Sequence, residues 1–426
     1  MATLNTRIAC ACAAALICSL APVAHATQSQ ALTLRDALEL ASAHNPELAG
    51  FRPQTEALRE QAAVDALAPP PKLEAQLENF AGTGNLSATS ALESTLQLSR
   101  AIELGGKAAL RGRIGDMSLE RLDAVQRARR ADILAEVARR FVHVLSDQAQ
   151  LAATYRATKL AEQARDVVQE RIAAGAASPA FLSRAEIALA RTEIEQEHAE
   201  HELATSRVAL AALWGDRQAT FGDARGELFD FPPLEPLEAY EERLANNPDL
   251  LRFVSEDRLL DARARLAQAH RRPTITLSAG VRRLESFDDQ AFVAGFSIPL
   301  GSRKRAQGEV RALGAEREQL GFAATSHRLE LHVTLFGLYQ EVQHRRFEAE
   351  ALQNEIRPQA ERMVRVSEEG YRAGRFSLLE LADAQSQLLG IERDAIRAAA
   401  EFHSQLIDIE RLTGVPVQSL ASRSAP

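Results

Sequence analysis

Glu369-Gly-Tyr-Arg-Ala-Gly-Arg-Phe-Ser-Leu-Leu-Glu-Leu-Ala-Asp383 reads as the tip of a helical hairpin, and a fainter copy stands in the first half as Arg171-Ile-Ala-Ala-Gly-Ala-Ala-Ser-Pro-Ala-Phe-Leu-Ser-Arg184. In both, a long helix-like segment runs into Ala-Gly, breaks over two or three residues and restarts at a serine. Glycine takes the left-handed conformation that ends one helix, and the serine hydroxyl caps the free amides of the next.

Gly175 and Gly374 are 199 residues apart, and nearly the same offset recurs elsewhere. Asn45-Pro46-Glu47-Leu48 returns as Asn247-Pro248-Asp249-Leu250, Pro71 as Pro273, and Leu213-Trp214-Gly215 as Leu412-Thr413-Gly414. A period near 200 is too long for a solenoid unit, so the chain reads as two fused copies of one module. The expected boundaries are 27–214 for the first repeat (β-hairpin about 72–104, tip about 174–179) and 238–414 for the second (β-hairpin about 274–300, tip about 373–378). Residues 215–237, with Gly222, Gly226, Pro232, Pro233 and Pro236, form an irregular linker, and 415–426 a C-terminal tail.

The first 26 residues have the layout of a secretory signal peptide: Arg7, an apolar run from Ile8 to Leu20, and Ala24-His25-Ala26 before the expected cleavage. Cys10, Cys12 and Cys18 all lie in that segment, which leaves the mature chain without disulfides, thiolate metal sites or a cysteine nucleophile, and Ile17 before Cys18 does not suit a lipobox. The formal net charge of −8 argues against nucleic acid as a partner. Beyond the signal no window approaches the roughly 18 continuous apolar residues of a membrane helix, so any entry into a membrane must use strands.

Strand-like alternation occurs four times. Lys72–Phe80 and Leu92–Leu104 flank a loop of small polar residues, and the second puts Leu96, Leu98, Ile102 and Leu104 on one face with Arg100. Thr274–Leu284 puts Ile275, Leu277, Ala279 and Val281 on one face. Phe292–Leu300 does the same with Phe292, Ala294, Phe296, Ile298 and Leu300. Long helical runs come after each hairpin. From Lys107 to Ala174 there is no proline, and Ile133, Val137, Phe141, Leu145, Ala149 and Ala152 step by three and four. At about 1.5 Å per residue this helix would span roughly 100 Å, the length of a coiled-coil rod rather than of a compact domain. The second run, Arg303 to Arg372, carries Leu331, Leu335, Leu338 and Val342 on one stripe, with a kink expected at Pro358.

Four strands of about 9–11 residues are long enough to cross a bilayer when tilted, but they cannot close a barrel. An open edge in lipid leaves backbone groups unpaired at several kcal/mol each, so the barrel must be shared among chains. Two chains are the minimum, and three give twelve strands and a pore.

The duplicated Asn-Pro, strand hairpin, long helix and Gly-Ser tip together resemble the TolC family of outer-membrane efflux proteins over essentially the whole mature chain. Ile102-Glu-Leu-Gly-Gly-Lys-Ala-Ala-Leu-Arg111 is similar to the Glu-Leu-Gly-Gly-Lys-Arg segment of the cobalt-zinc-cadmium (CzcC-like) branch, with Ala108 where that branch has Arg. The resemblance implies a mainly α fold with a small β part: a homotrimeric outer-membrane β-barrel continued by an α-helical periplasmic tunnel, with the linker in an equatorial region. It further implies a passive exit duct that docks onto a periplasmic adaptor and an inner-membrane pump of the resistance-nodulation-division type. Divalent heavy-metal cations are the expected substrate. Drug efflux, type I secretion and a poreless periplasmic scaffold are the alternatives, and no catalytic motif or cofactor site is present.

Glu380 and Asp383 come after the second tip at i and i+3, so three chains would present six carboxylates around one axis, attracting cations and raising some of their own pKa values. Acidic residues near these positions line the family's periplasmic constriction. The first tip has Phe181 and Arg184 instead. Gly175, Ser178 and Leu182, with Gly374, Ser377 and Leu378, resemble the family's adaptor-docking tips, and Tyr371 and Arg375 are candidates to hold a closed state through neighbouring helices. His198 and His201, among Glu195, Glu197 and Glu202, have a spacing that suits zinc, without a full set of ligands. Against that, each is equally at home on a charged, solvated helix face.

Overall fold

The computed structural model describes residues 31–415, so the expected signal peptide and all but the first residue of the tail lie outside the described residues. The chain opens with β1 (Leu32–Thr33), α1 (Leu34–His44) and α2 (Pro46–Asp65). The first hairpin, β2 (Lys72–Glu78) and β3 (Glu93–Glu103), leads into α3 (Lys107–Ala173), and α4 (Pro179–Ala211) returns from the tip. A linker containing β4 (Ala224–Arg225) and α5 (Leu237–Arg243) leads to α6 (Pro248–Ala269). The second hairpin, β5 (Thr274–Leu284) and β6 (Asp289–Ser297), feeds α7 (Ser302–Ala351), α8 (Arg357–Arg372) and the returning α9 (Leu378–Thr413).

The repeated Asn-Pro and Leu-x-Gly motifs meet in space. Asn45 caps α2 by accepting from the amides of Glu47 and Leu48, while its Nδ2 donates to the Leu213 carbonyl at 2.7 Å. Asn247 does the same for α6, accepting from Asp249 and Leu250 and donating to the Leu412 carbonyl at 2.8 Å. Proline at the first helical position needs no amide partner, so each Asn-Pro both starts a helix and fastens it to the end of its own module.

The 67-residue α3 is the spine, about 100 Å long. Its buried stripe through Ile133, Val137, Phe141 and Leu145 keeps the expected periodicity, then moves by one residue, burying Ala153 and exposing Ala152. An ideal helix drifts relative to a strict seven-residue repeat, and a side chain one position on then faces the partner. In one core with Phe141 lie Leu34 of α1, Leu210 of α4, Ile396 and Ile407 of α9, Trp214 at the end of the first repeat and Leu228 of the linker. The linker is held down by parallel pairing of β4 with β1 (Leu32 opposite Ala224). In the second module Leu331, Leu335 and Val342 of α7 are buried, and the latter two pack against Phe402, Leu406 and Ile409 of α9.

The long helix of the second copy is broken at Leu352–Ile356, a π-helical turn placed just before Pro358. Proline has no amide to donate and its ring crowds the carbonyl four residues back, so the widened turn absorbs the mismatch.

The four hairpin strands join one antiparallel sheet in the order β2-β3-β5-β6, with β3 and β5 paired from Glu93 opposite Leu284 to Glu103 opposite Thr274, and the seven-residue β2 ends at Glu78, two residues short of the expected Phe80. The expected faces hold: Leu96, Leu98, Leu277, Val281, Phe292 and Phe296 are all exposed on one side. The other side carries Thr95, Gln97, Ser278 and Arg282, with Arg282 bonded to Glu93 and Thr95. The last strand differs from expectation, beginning three residues earlier at Asp289 and ending at Ser297, because residues 289–291 pair with the far end of β5.

Candidate functional site: the helical tips

Both tips are closed by the same backbone device. Gly175 (φ 71°) and Gly374 (φ 70°) are left-handed. After them the amide of Ala176 donates to the Arg171 carbonyl and that of Arg375 to the Gly370 carbonyl, both at 2.7 Å. This is the Schellman arrangement, in which the last carbonyls of a helix are satisfied by amides beyond its end. Ser178 then caps α4 and Ser377 caps α9.

Beyond these serine caps the two tips diverge. In the second, Glu380 completes a capping box: its Oε2 accepts from the Ser377 amide at 2.7 Å and from the Ser377 hydroxyl at 2.8 Å. These bonds, the backbone one foremost, hold the Glu380 carboxyl below its ordinary pKa. Within one chain donors, not other acids, are its nearest neighbours. Asp383 is exposed and accepts from Gln387 Nε2 at 2.7 Å. Glu380 and Asp383 share the exposed side of the first turns of α9, whereas the first tip has Phe181 and Arg184 there.

Leu378 and Tyr371 are buried in a small tip core with Ala164, Val167 and Val168 of α3, Ala185 of α4 and Leu381 of α9, and Leu182 packs on its edge. Tyr371 is only 4% exposed and its hydroxyl has no hydrogen-bond partner. It contacts a neighbouring helix of the same chain through its ring and its carbonyl. The guanidinium of Arg171 on α3 lies 4.7 Å from the ring centroid and donates to the Tyr371 carbonyl. The Arg375 side chain points into solvent and makes no hydrogen bond or ion pair among the described residues, so within one chain it holds nothing. Arg171 carries no periodic signal that marks it out, although it opens the first tip motif. Phe376 is equally inconspicuous in the sequence. Its ring lies against Gly370, leaving no room there for a side chain, and with Leu379 it gives this tip an exposed apolar rim.

His198 and His201 lie on the exposed face of α4. Each is exposed and paired with a glutamate one turn away, His198 with Glu202 at 3.3 Å and His201 with Glu197 at 2.7 Å. No group of three potential ligands occurs among the described residues.

The model of the family described as outer membrane efflux protein matches residues 37–216 and again 239–415. The chain belongs to the outer membrane efflux protein family. Among curated relatives, this family member is 27% identical over 399 residues to the cobalt-zinc-cadmium resistance protein CzcC of Cupriavidus metallidurans, covering 93% of each chain. It is 23% identical over 237 residues to the nickel-cobalt-cadmium resistance protein NccC of Alcaligenes xylosoxydans xylosoxydans, covering 55% of this chain and 53% of the other. Its fold matches the crystal structure of CusC with a TM-score of 0.73 at 16% identity, covering 90% of this chain and 92% of that one.

Proposed function

We propose that three copies of this efflux protein close a twelve-stranded barrel in the outer membrane and continue it as a helical tunnel through the periplasm. In this reading the chain is the passive exit duct of a tripartite system. An inner-membrane pump of the resistance-nodulation-division type and a periplasmic adaptor deliver divalent metal cations to it. The observation that carries the reading is the four-stranded sheet, whose edge strands β2 and β6 have no further partner among the described residues and whose apolar face is bare, with Phe292 94% exposed. Such a sheet is stable in lipid only when its edges are paired by further copies. The metal assignment rests on the resistance spectra in the names of CzcC and NccC. Gly175, Ser178 and Leu182 with Gly374, Ser377 and Leu378 build the adaptor-docking tips, and Glu380 and Asp383 of three chains form a cation-attracting ring at the periplasmic mouth.

Deletion of the gene and complementation test the whole. Tolerance to cobalt, zinc and cadmium should fall and be restored by the wild-type gene, with the protein recovered in the outer-membrane fraction. Loss of drug tolerance alone would overturn the metal assignment, and recovery in the soluble periplasm would end the duct reading.

A further inference from the structure

The two modules make the same corner where the sheet meets the helices, but they treat its charge differently. After β3 the chain runs Glu103-Leu-Gly-Gly-Lys107, and after β6 it runs Pro299-Leu-Gly-Ser-Arg303. In the first corner Glu103 neutralises Arg111 through a two-pronged ion pair at 2.8 Å, and Lys107 is 6% exposed, its Nζ donating to the Thr274 hydroxyl at 3.0 Å. In the second, Pro299 stands where the acid would be, and Arg303, Lys304 and Arg305 are exposed with no ion-pair partner among the described residues. The acid nearest them in this segment, Glu309, is engaged by His270 at 3.0 Å.

Lys107, Lys304 and Arg305 border one cavity of about 670 Å³, and Pro273 and Leu300 border it too. Pro273 precedes β5 and Leu300 comes three residues after β6, at the end of the sheet nearest the helices, and Leu300 is 95% exposed. One opening therefore joins the lower rim of the apolar belt to Lys304 and Arg305, which have no ion-pair partner among the described residues, while Glu309 on the same wall is held by His270. A free inorganic anion would explain the charge but not the apolar wall.

We propose that this cavity is a phospholipid site. Lys304 and Arg305, backed by Lys107, take the phosphate of an anionic headgroup in the periplasmic leaflet, and Pro273 and Leu300 receive the start of its acyl chains. This inference rests on the reading of the sheet as membrane-embedded. Basic residues beside an anionic lipid surface contribute roughly 1 kcal/mol each, so losing two costs about thirtyfold in lipid affinity.

The test is native mass spectrometry of the detergent-solubilised protein loaded with phosphatidylglycerol or phosphatidylcholine, for the wild type, Lys304→Gln/Arg305→Gln, and a control that removes the same charge on α8, Arg362→Gln/Arg365→Gln. Retained phosphatidylglycerol in excess of phosphatidylcholine in the wild type and the control, with a roughly thirtyfold loss in the cavity variant, supports the site. Equal retention in all three overturns it, as does displacement of the lipid by millimolar inorganic phosphate, which would mark a free-anion site. Fractionation separates the two levels. A protein recovered from the outer membrane without phosphatidylglycerol preference sinks this inference alone, and a soluble periplasmic protein sinks the membrane reading with it.

Discussion

Arg171 and Tyr371 join the two hairpins of the chain at their tips: the guanidinium of the first, at the end of α3, covers the ring and binds the carbonyl of the second, at the end of α8. A cation near a helix C-terminus is favoured by the helix dipole, and burial of the ring strengthens its attraction for the charge. The contact therefore ties the second hairpin to the first beside the tip core.

Removing that clamp should loosen the tip while leaving the rest of the rod intact. Arg171→Ala loses a charge-assisted hydrogen bond and a cation–π contact, together about 2 kcal/mol, and should speed hydrogen exchange of amides 370–378. Arg171→Lys should restore only part of it, since an ammonium cannot both stack on the ring and fork to a carbonyl. Unchanged exchange in both variants would show that the tip core alone holds the hairpins together.

The carboxylates of the second tip need a substitution that separates charge from capping. Glu380→Ala would cost the helix its capping box, whereas Glu380→Gln keeps an acceptor for the Ser377 amide. Glu380→Gln/Asp383→Asn should thus leave the melting temperature nearly unchanged and reduce cation preference in planar bilayers. The effect should be clear at low salt and fade near 0.15 M, where the screening length is about 8 Å. Unaltered selectivity at low salt would return both residues to a solvated helix face.

The register of β6 makes a depth prediction. Phe292 lies at the middle of Asp289–Ser297 on the bare apolar face, and Val293 faces the other way, opposite Gly280. Phe292→Arg should cost roughly 2–4 kcal/mol and impair assembly, while Val293→Arg should be tolerated, with heat-stable oligomer on gels as the measure. Equal damage from both would contradict the assigned faces.

His403 supplies a pH dependence. It is fully buried on α9, its Nε2 donates to the Leu228 carbonyl of the linker at 2.9 Å, and its Nδ1 has no partner. Burial lowers its pKa from 6.5 to about 4. Between these values the unfolded chain binds a proton that the folded chain refuses, so this contribution to stability is complete above about pH 6.5 and is lost as pH falls toward 4 and below. The loss is on the order of 3 kcal/mol, and His403→Gln should flatten the melting curve against pH in that window. An equally steep pH dependence in the variant would assign it to other groups.

The sequence by itself determined the modular plan: an offset near 199, the alternation at Thr274–Leu284 and the glycine-serine breaks are local patterns, and local patterns dictate helix ends, strand faces and turns. The helix starting at Lys107 was legible to within one residue of each end, because no proline interrupts it and glycines bound it. Tertiary structure alone decided that Asn45 reaches Leu213 and Asn247 reaches Leu412, that β3 pairs with β5 to make one sheet, and that Arg171 meets Tyr371 across the tips. Each of these joins residues about 165 to 200 positions apart, whose meeting depends on how rods some 100 Å long bend and pack, and no short-range periodicity encodes that. Glu380 is the local counterpart: Ser377-x-x-Glu380 is a capping-box pattern that lies within one helical turn, and the folded turn places both bonds from Ser377 on Oε2.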